Sequence, residues 1–193
     1  MVYGKRLGFV LGLTALATMS VAVMRPHGVA LAAQQGPAQL KPVVVVSFSG
    51  VERFWEDVNF LGNLAGVSNL ADNLKQMLAA QTGGAQGVPG VDAKRPCGVV
   101  IQTDGMEFVV AGYVPVTDFQ KLMDWLKQRD IEIQNQGNDY QVDLPNGQPI
   151  FVGKKEGWAV ICMDPGALQR APAAPPKELT QLASAYDLGV SAY

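Results

Sequence analysis

Chemistry needs side chains that move protons, attack carbon or hold metal, and this chain has few in useful places. Its only histidine is His27, inside an N-terminal segment expected to be removed. Without imidazole, Ser-His-Asp and Cys-His catalysis lose their base, and most zinc sites lose a ligand. Ser47-Phe48-Ser49-Gly50 follows an apolar run and precedes a helical pattern, the position of a nucleophile elbow. The elbow motif is G-x-S-x-G, and its leading glycine is absent. Ser49-Gly50-Val51-Glu52 also fits an S-x-x-E capping box, which accounts for Ser49 without catalysis. Paired carboxylates are the remaining catalytic option. Glu56-Asp57, Asp124 and Asp104/Glu107 are the candidates. A glycosidase-type mechanism needs two of them facing one cleft. Glu56, Asp57 and Asp124 fall mostly on polar helix faces, and Asp104 suits a turn. Thr82 to Gly90, TGGAQGVPG, lacks the preceding strand and the terminal Lys-Ser/Thr of a phosphate cradle, and reads as a loop. No EF-hand spacing occurs. No catalytic, cofactor-binding or metal-ligating residue is assigned, and no cofactor is implied.

Cys97 and Cys162 are the only cysteines. Each falls in an expected strand. Two readings stand: a disulfide of an exported protein, or two small buried hydrophobes. A bridge needs Cα atoms within about 7 Å.

The elements that would position these residues begin behind a leader. Lys5 and Arg6 precede an uncharged run, Leu7 to Met24, and Ala30-Leu31-Ala32 supplies the small-x-small pattern of signal peptidase. Residues 1–33 read as a signal peptide, the alternative being an uncleaved membrane anchor at the short end of spanning length. Removing Lys5, Arg6 and Arg25 leaves 12 basic residues against 17 acidic ones, a net charge of about −5. Phosphate backbones repel such a chain, so nucleic-acid partners are disfavoured. Residues 34–42 read as a flexible leader, and 43–193 as one domain. A hydrophobic fraction of 48% against 17% charged suits a packed core.

Val43 to Phe48, VVVVSF, does not alternate and reads as a central strand buried on both faces. After the capping box, Val51, Phe54, Trp55, Val58, Leu61 and Leu64 form a helical stripe expected to face the sheet. Ser68 opens a second helix, with Leu70, Leu74, Met77 and Leu78 on its buried side. Gly98–Gln102 and Glu107–Val114 form a hairpin around Asp104-Gly105, because glycine tolerates the positive φ that such turns need. Thr117-Asp118-Phe119-Gln120 is a T-x-x-Q cap, followed by a stripe of Phe119, Leu122, Met123 and Leu126. Ile131–Gln134 and Tyr140–Leu144 are short polar strands of a sheet edge, with Pro145-Asn146-Gly147 as a turn. Gln148–Val152 and Trp158–Met163 form a further hairpin. Asp164-Pro165 caps a short helical turn. Leu179, Leu182, Ala183 and Tyr186 mark a last helix. Asp187 to Tyr193 then begins a strand where the chain stops, which points to truncation relative to a longer protein. Two segments, 99–123 and 150–170, share the order strand, turn, strand, helix cap without sharing residues. The expected fold is α+β: a largely antiparallel sheet of about seven strands with helices packed on one face, in the order β-α-α-β-β-α-β-β-β-β-α.

VVVVSFSG, the TGG loop, VDAKRPCGVVIQTDGMEF, YVPVTDFQKLMDWL and the closing YDLGVSAY resemble the N-terminal part of exported proteins of unknown function from planctomycete bacteria. The resemblance covers about Pro42 to Tyr193. It implies that relatives continue past the point corresponding to Tyr193, and it brings no activity and no site residues.

The expected function is an exported, non-catalytic module of the periplasm, cell envelope or extracellular space, binding a protein or apolar ligand or serving as structure. A membrane partner is expected only if the N-terminal segment stays uncleaved. Two alternatives remain: a carboxylate-dependent hydrolase, and a lipid carrier with a pocket lined by Phe54, Trp55, Leu122 and Trp125.

Overall fold

A computed structural model describes residues 40–82, 87–129, 131–144 and 147–193. The expected signal segment with His27 and its expected cleavage site, most of the expected leader, part of the Thr82–Gly90 loop and the Pro145-Asn146 pair lie outside the described residues.

Eight strands form one antiparallel sheet. They are β1 (Lys41–Phe48), β2 (Cys97–Thr103), β3 (Phe108–Pro115), β4 (Glu132–Gln136), β5 (Asp139–Asp143), β6 (Pro149–Lys155), β7 (Trp158–Cys162) and β8 (Leu188–Ala192). Their spatial order is β4-β5-β6-β7-β3-β2-β1-β8. Five helices accompany them: α1 (Val51–Leu64), α2 (Leu70–Thr82), α3 (Phe119–Lys127), α4 (Pro165–Arg170) and α5 (Lys177–Ala185). The α+β class stands, with eight strands where about seven were expected. The added strand is Leu188–Ala192, which pairs with β1. That pairing makes β1 the penultimate strand and not a central one, and Lys41-Pro42 of the expected leader belong to it.

The hairpin β2–β3 follows from its turn. Gly105 has φ 93°, and Asp104 Oδ1 accepts hydrogen bonds from the amides of Met106 and Glu107, both at 2.9 Å. Successive strand residues point to opposite faces, so the register sorts every side chain. Val45, Val100, Val109, Ala111, Tyr113, Val160 and Cys162 are buried on one face, which we call the front. Helices α4 and α5 cover it with Ala167, Leu168 and Leu179. Val142, Val152 and Ala159 are buried on the back. There α3 covers them with Phe119, Leu122, Met123, Trp125 and Leu126. Helices therefore lie on both faces, which corrects the expectation of one.

The helices cover opposite corners. On the front, the β4–β5 corner is open, and its side chains are polar. Gln136 Nε2 donates to Gln141 Oε1 at 2.9 Å, and Gln141 Nε2 donates to Asp143 Oδ1 at 2.9 Å. On the back, the corner made by β3, β2, β1 and β8 is open, and its side chains are apolar.

Two helix caps lie one residue later than expected. The cap of α1 is Gly50, at φ 130°, with no side-chain cap. The cap of α3 is Asp118, whose Oδ1 accepts from the Lys121 amide at 3.1 Å. Thr117 Oγ1 instead donates to the Gly90 carbonyl at 3.3 Å. The α1 stripe does not seat on the sheet as expected. Phe54 is 42% exposed, Leu61 59% and Leu64 70%. Instead α1 packs on α2. A Cβ on Gly62 would lie 2.6 Å from Leu70 Cβ, so only glycine allows this approach. Asn59 Oδ1 accepts from the Ala71 amide at 3.1 Å, and the Lys75 ammonium sits 5.5 Å from the Trp55 ring centre. The two helices form an arm.

Candidate functional site

The candidate carboxylates do not converge. Asp104 is engaged in its turn, and the Glu107 and Met106 amides hold its carboxyl below the usual range. Glu107 pairs with Arg170. Asp124 accepts from Gln120 Nε2 at 2.9 Å on the surface of α3. Glu56 and Asp57 belong to the arm. Ser49 Oγ donates to Asp187 Oδ1 at 3.4 Å, and Arg53 Nε lies 2.6 Å from the same carboxylate. The three side chains clasp the base of the arm to the start of β8. Among the described residues no group of three or more His, Cys, Asp or Glu side chains comes together as a metal site requires.

Cys97 and Cys162 are free thiols. β3 runs between their strands. Two strand spacings are about 10 Å, beyond the reach of a disulfide. Register also points Cys97 to the back, opposite Phe48, and Cys162 to the front, opposite Ala111. The candidate bridge is not formed. Burial raises both thiols, Cys162 to about 12, so neither is a ready nucleophile at neutral pH.

A groove of 270 Å³ opens where α3 meets the β4–β5 hairpin. Phe119, Gln120, Gly137, Asn138, Tyr140 and Lys154 line it, and no carboxylate does. Of these, the Phe119 and Tyr140 rings pair with centroids 5.6 Å apart. The proposed lipid-pocket residues lie elsewhere and apart. Leu122 and Trp125 belong to the core beneath α3. Phe54 and Trp55 pack on one another, with rings 5.1 Å apart at the base of the arm.

The back corner is the feature that sequence reasoning missed. Its register sets Phe108 and Val110 of β3 beside Thr103 and Ile101 of β2. Ile101 and Val99 stand beside Val44 and Val46 of β1. Val46 and Phe48 stand beside Val190 and Leu188 of β8. None of these side chains is charged. Phe108 is 58% exposed, Val190 66% and Leu188 68%. The Phe48 ring, 6.0 Å from that of Phe54, joins this surface to the exposed flank of the arm. Contiguous apolar patches that stay exposed to water, when large, mark interaction sites. The available signal was VVVVSF itself. A continuous apolar run fits a strand with an open apolar face as well as one buried on both sides.

The arm interrupts two neighbours. Phe48 and Cys97 are paired residues of adjacent antiparallel strands, yet residues 49–96 connect them. Such strands need only a two-residue turn, whereas this connection carries α1 and α2. Among the described residues no helix is long and apolar enough to cross a membrane. No family model matches the chain, and no curated protein or solved structure matches it.

Proposed function

We propose that this chain is an exported, non-catalytic module of the cell envelope that works by docking an uncharged apolar surface of a partner protein. One observation carries the reading: the uncovered back corner, apolar across β3, β2, β1 and β8 and continuous with the arm. An apolar area of this kind left in water is unfavourable by about 25 cal/mol per Å², so its retention supports a use. The net charge of the mature chain supports a protein partner over nucleic acid. The dispersal of the carboxylates gives the hydrolase reading little support. The separation of Phe54 and Trp55 from Leu122 and Trp125 does the same for the lipid carrier.

The test is a photo-crosslinking amino acid placed at Phe108, on the apolar corner, and at Gln134, on the polar one, in cells that export the chain. Adducts of discrete mass should form at Phe108 and not at Gln134. Equal labelling at both, or none at Phe108, would overturn the docking reading. Sequencing the exported chain from its N-terminus tests the leader: a chain beginning at Met1 sinks cleavage near Ala32 or Ala33.

A further inference from the structure

Among the described residues β8 is an edge of the sheet, and it carries a second inference, which rests on backbone register and not on the docking of the open face. The Ser49 amide donates to the Asp187 carbonyl at 3.0 Å, and the Tyr193 amide donates to the Val43 carbonyl at 2.9 Å. Hydrogen-bonded and non-bonded pairs alternate along an antiparallel ladder. The residues of β8 that bond β1 are therefore the odd-numbered ones. Leu188, Val190 and Ala192 pair with Phe48, Val46 and Val44 without bonding them. Their N–H and C=O groups point off the sheet.

Natural edges carry lysine, proline or a bulge to discourage pairing. The strand Leu188–Ala192, LGVSA, has no charge and no proline, and its register with β1 is continuous. The nearest charge, Asp187, is held by Arg53 at 2.6 Å.

We propose that β8 pairs antiparallel with β8 of a second copy about a two-fold axis at Val190. That register sets Val190 against Val190 of the partner subunit, and Leu188 against Ala192 of the partner subunit. All three outward residues are then bonded, and a shift by two residues leaves one of them unpaired. The isologous register is self-complementary, setting Asp187 against Tyr193 of the partner subunit. Large Leu188 meets small Ala192. On the front, Gly189 and Ser191 leave room beside α5, whose Leu182 already lies against Gly189. Two eight-stranded sheets become one of sixteen strands, and the two apolar corners become a single apolar face.

The experiment uses residues 34–193 in solution. Directly opposed residues in a bonded pair have Cα atoms about 5.5 Å apart, within the span of a disulfide. Under mild oxidation, Val190→Cys should give a covalent dimer. Ser191→Cys and the parent chain, with Cys97 and Cys162 intact, should not. In sedimentation, the parent chain should be a dimer. Val190→Lys, which opposes two ammonium groups across the axis, should convert it to a monomer with unchanged circular dichroism. A monomeric parent chain overturns the proposal, and so does a dimer that Val190→Lys leaves intact. If Val190→Lys fails to fold, the cysteine pair still decides: no Val190→Cys dimer, or equal crosslinking at Ser191→Cys, refutes the register.

Discussion

The sheet leaves two corners uncovered, and it treats them in opposite ways. At the β4–β5 corner the exposed face is a ladder of amides and carboxylates that bond across strands: Gln134, Gln136, Gln141 and Asp143. At the β1–β8 corner the exposed face is valine, isoleucine, phenylalanine and leucine. Both strand pairs lack a helix on one side, so exposure alone does not explain the difference. The polar corner is finished as it stands, because antiparallel sheets readily face water on one polar side. The apolar corner is the one that the proposed docking would cover. Within one sheet, residue type thus separates a face suited to solvent from an apolar one.

Substitutions sharpen this contrast. The largest effect belongs where both sides are covered. Leu168→Ala, at a site 1% exposed, should cost about 3 kcal/mol in urea unfolding. Ile101→Thr on the apolar corner should cost less than about 1 kcal/mol in the isolated chain. Equal costs would mean that something already covers that corner. Next comes alkaline pH. Burial raises the Cys162 thiol to about 12, and burial also raises the Tyr113 phenol. A raised group stabilises fully below its unfolded pKa, and that stability is lost as pH climbs toward the folded value. Stability should therefore fall between about pH 9 and 12, and Cys162→Ala should flatten part of that slope in pH-dependent melts. A smaller loss is expected at Asp164, which caps α4 by accepting from the Ala167 amide at 2.7 Å. Asp164→Ala should cost about 1 kcal/mol in the same unfolding assay. The smallest effect tests the polar corner. Gln141→Val should leave stability within about 0.5 kcal/mol while lowering solubility, measured as the concentration at first turbidity. Unchanged solubility would dissolve the distinction between the two corners.

Local signals carried much of this fold. Asp104-Gly105 forms its turn, and Phe119, Leu122, Met123 and Leu126 are all buried under α3. These features depend on residues a few positions apart. What sequence hid depends on distant partners. Ser49 has the right neighbours for a cap, but its hydroxyl goes to Asp187, 138 residues away. The α1 stripe has helical spacing, but spacing says nothing about what it meets, and it meets α2, the Phe48 ring and water. The shared order of segments 99–123 and 150–170 is likewise only local. β3 and β7 are antiparallel neighbours, yet α3 follows onto the back and α4 onto the front. No two-fold rotation relates adjacent antiparallel strands while exchanging the faces of the sheet, so the likeness of pattern is not a structural repeat. The apolar corner escaped notice for the same reason, since a window along one strand cannot reveal that no helix arrives.

The long connection between β1 and β2 also bears on how the chain assembles. β2 and β3 meet across a four-residue turn, but β1 must close residues 49–96 to reach β2, and Val46 waits for Val190. Closure entropy and sequence separation slow such contacts. During synthesis β1 is made before the other described strands and its outer neighbour β8 after them. VVVVSF therefore spends the longest time with both edges free, and a β-branched, uncharged segment in that state seeds aggregation. Escort by a chaperone is most needed for this strand, in the interval before β8 leaves the ribosome.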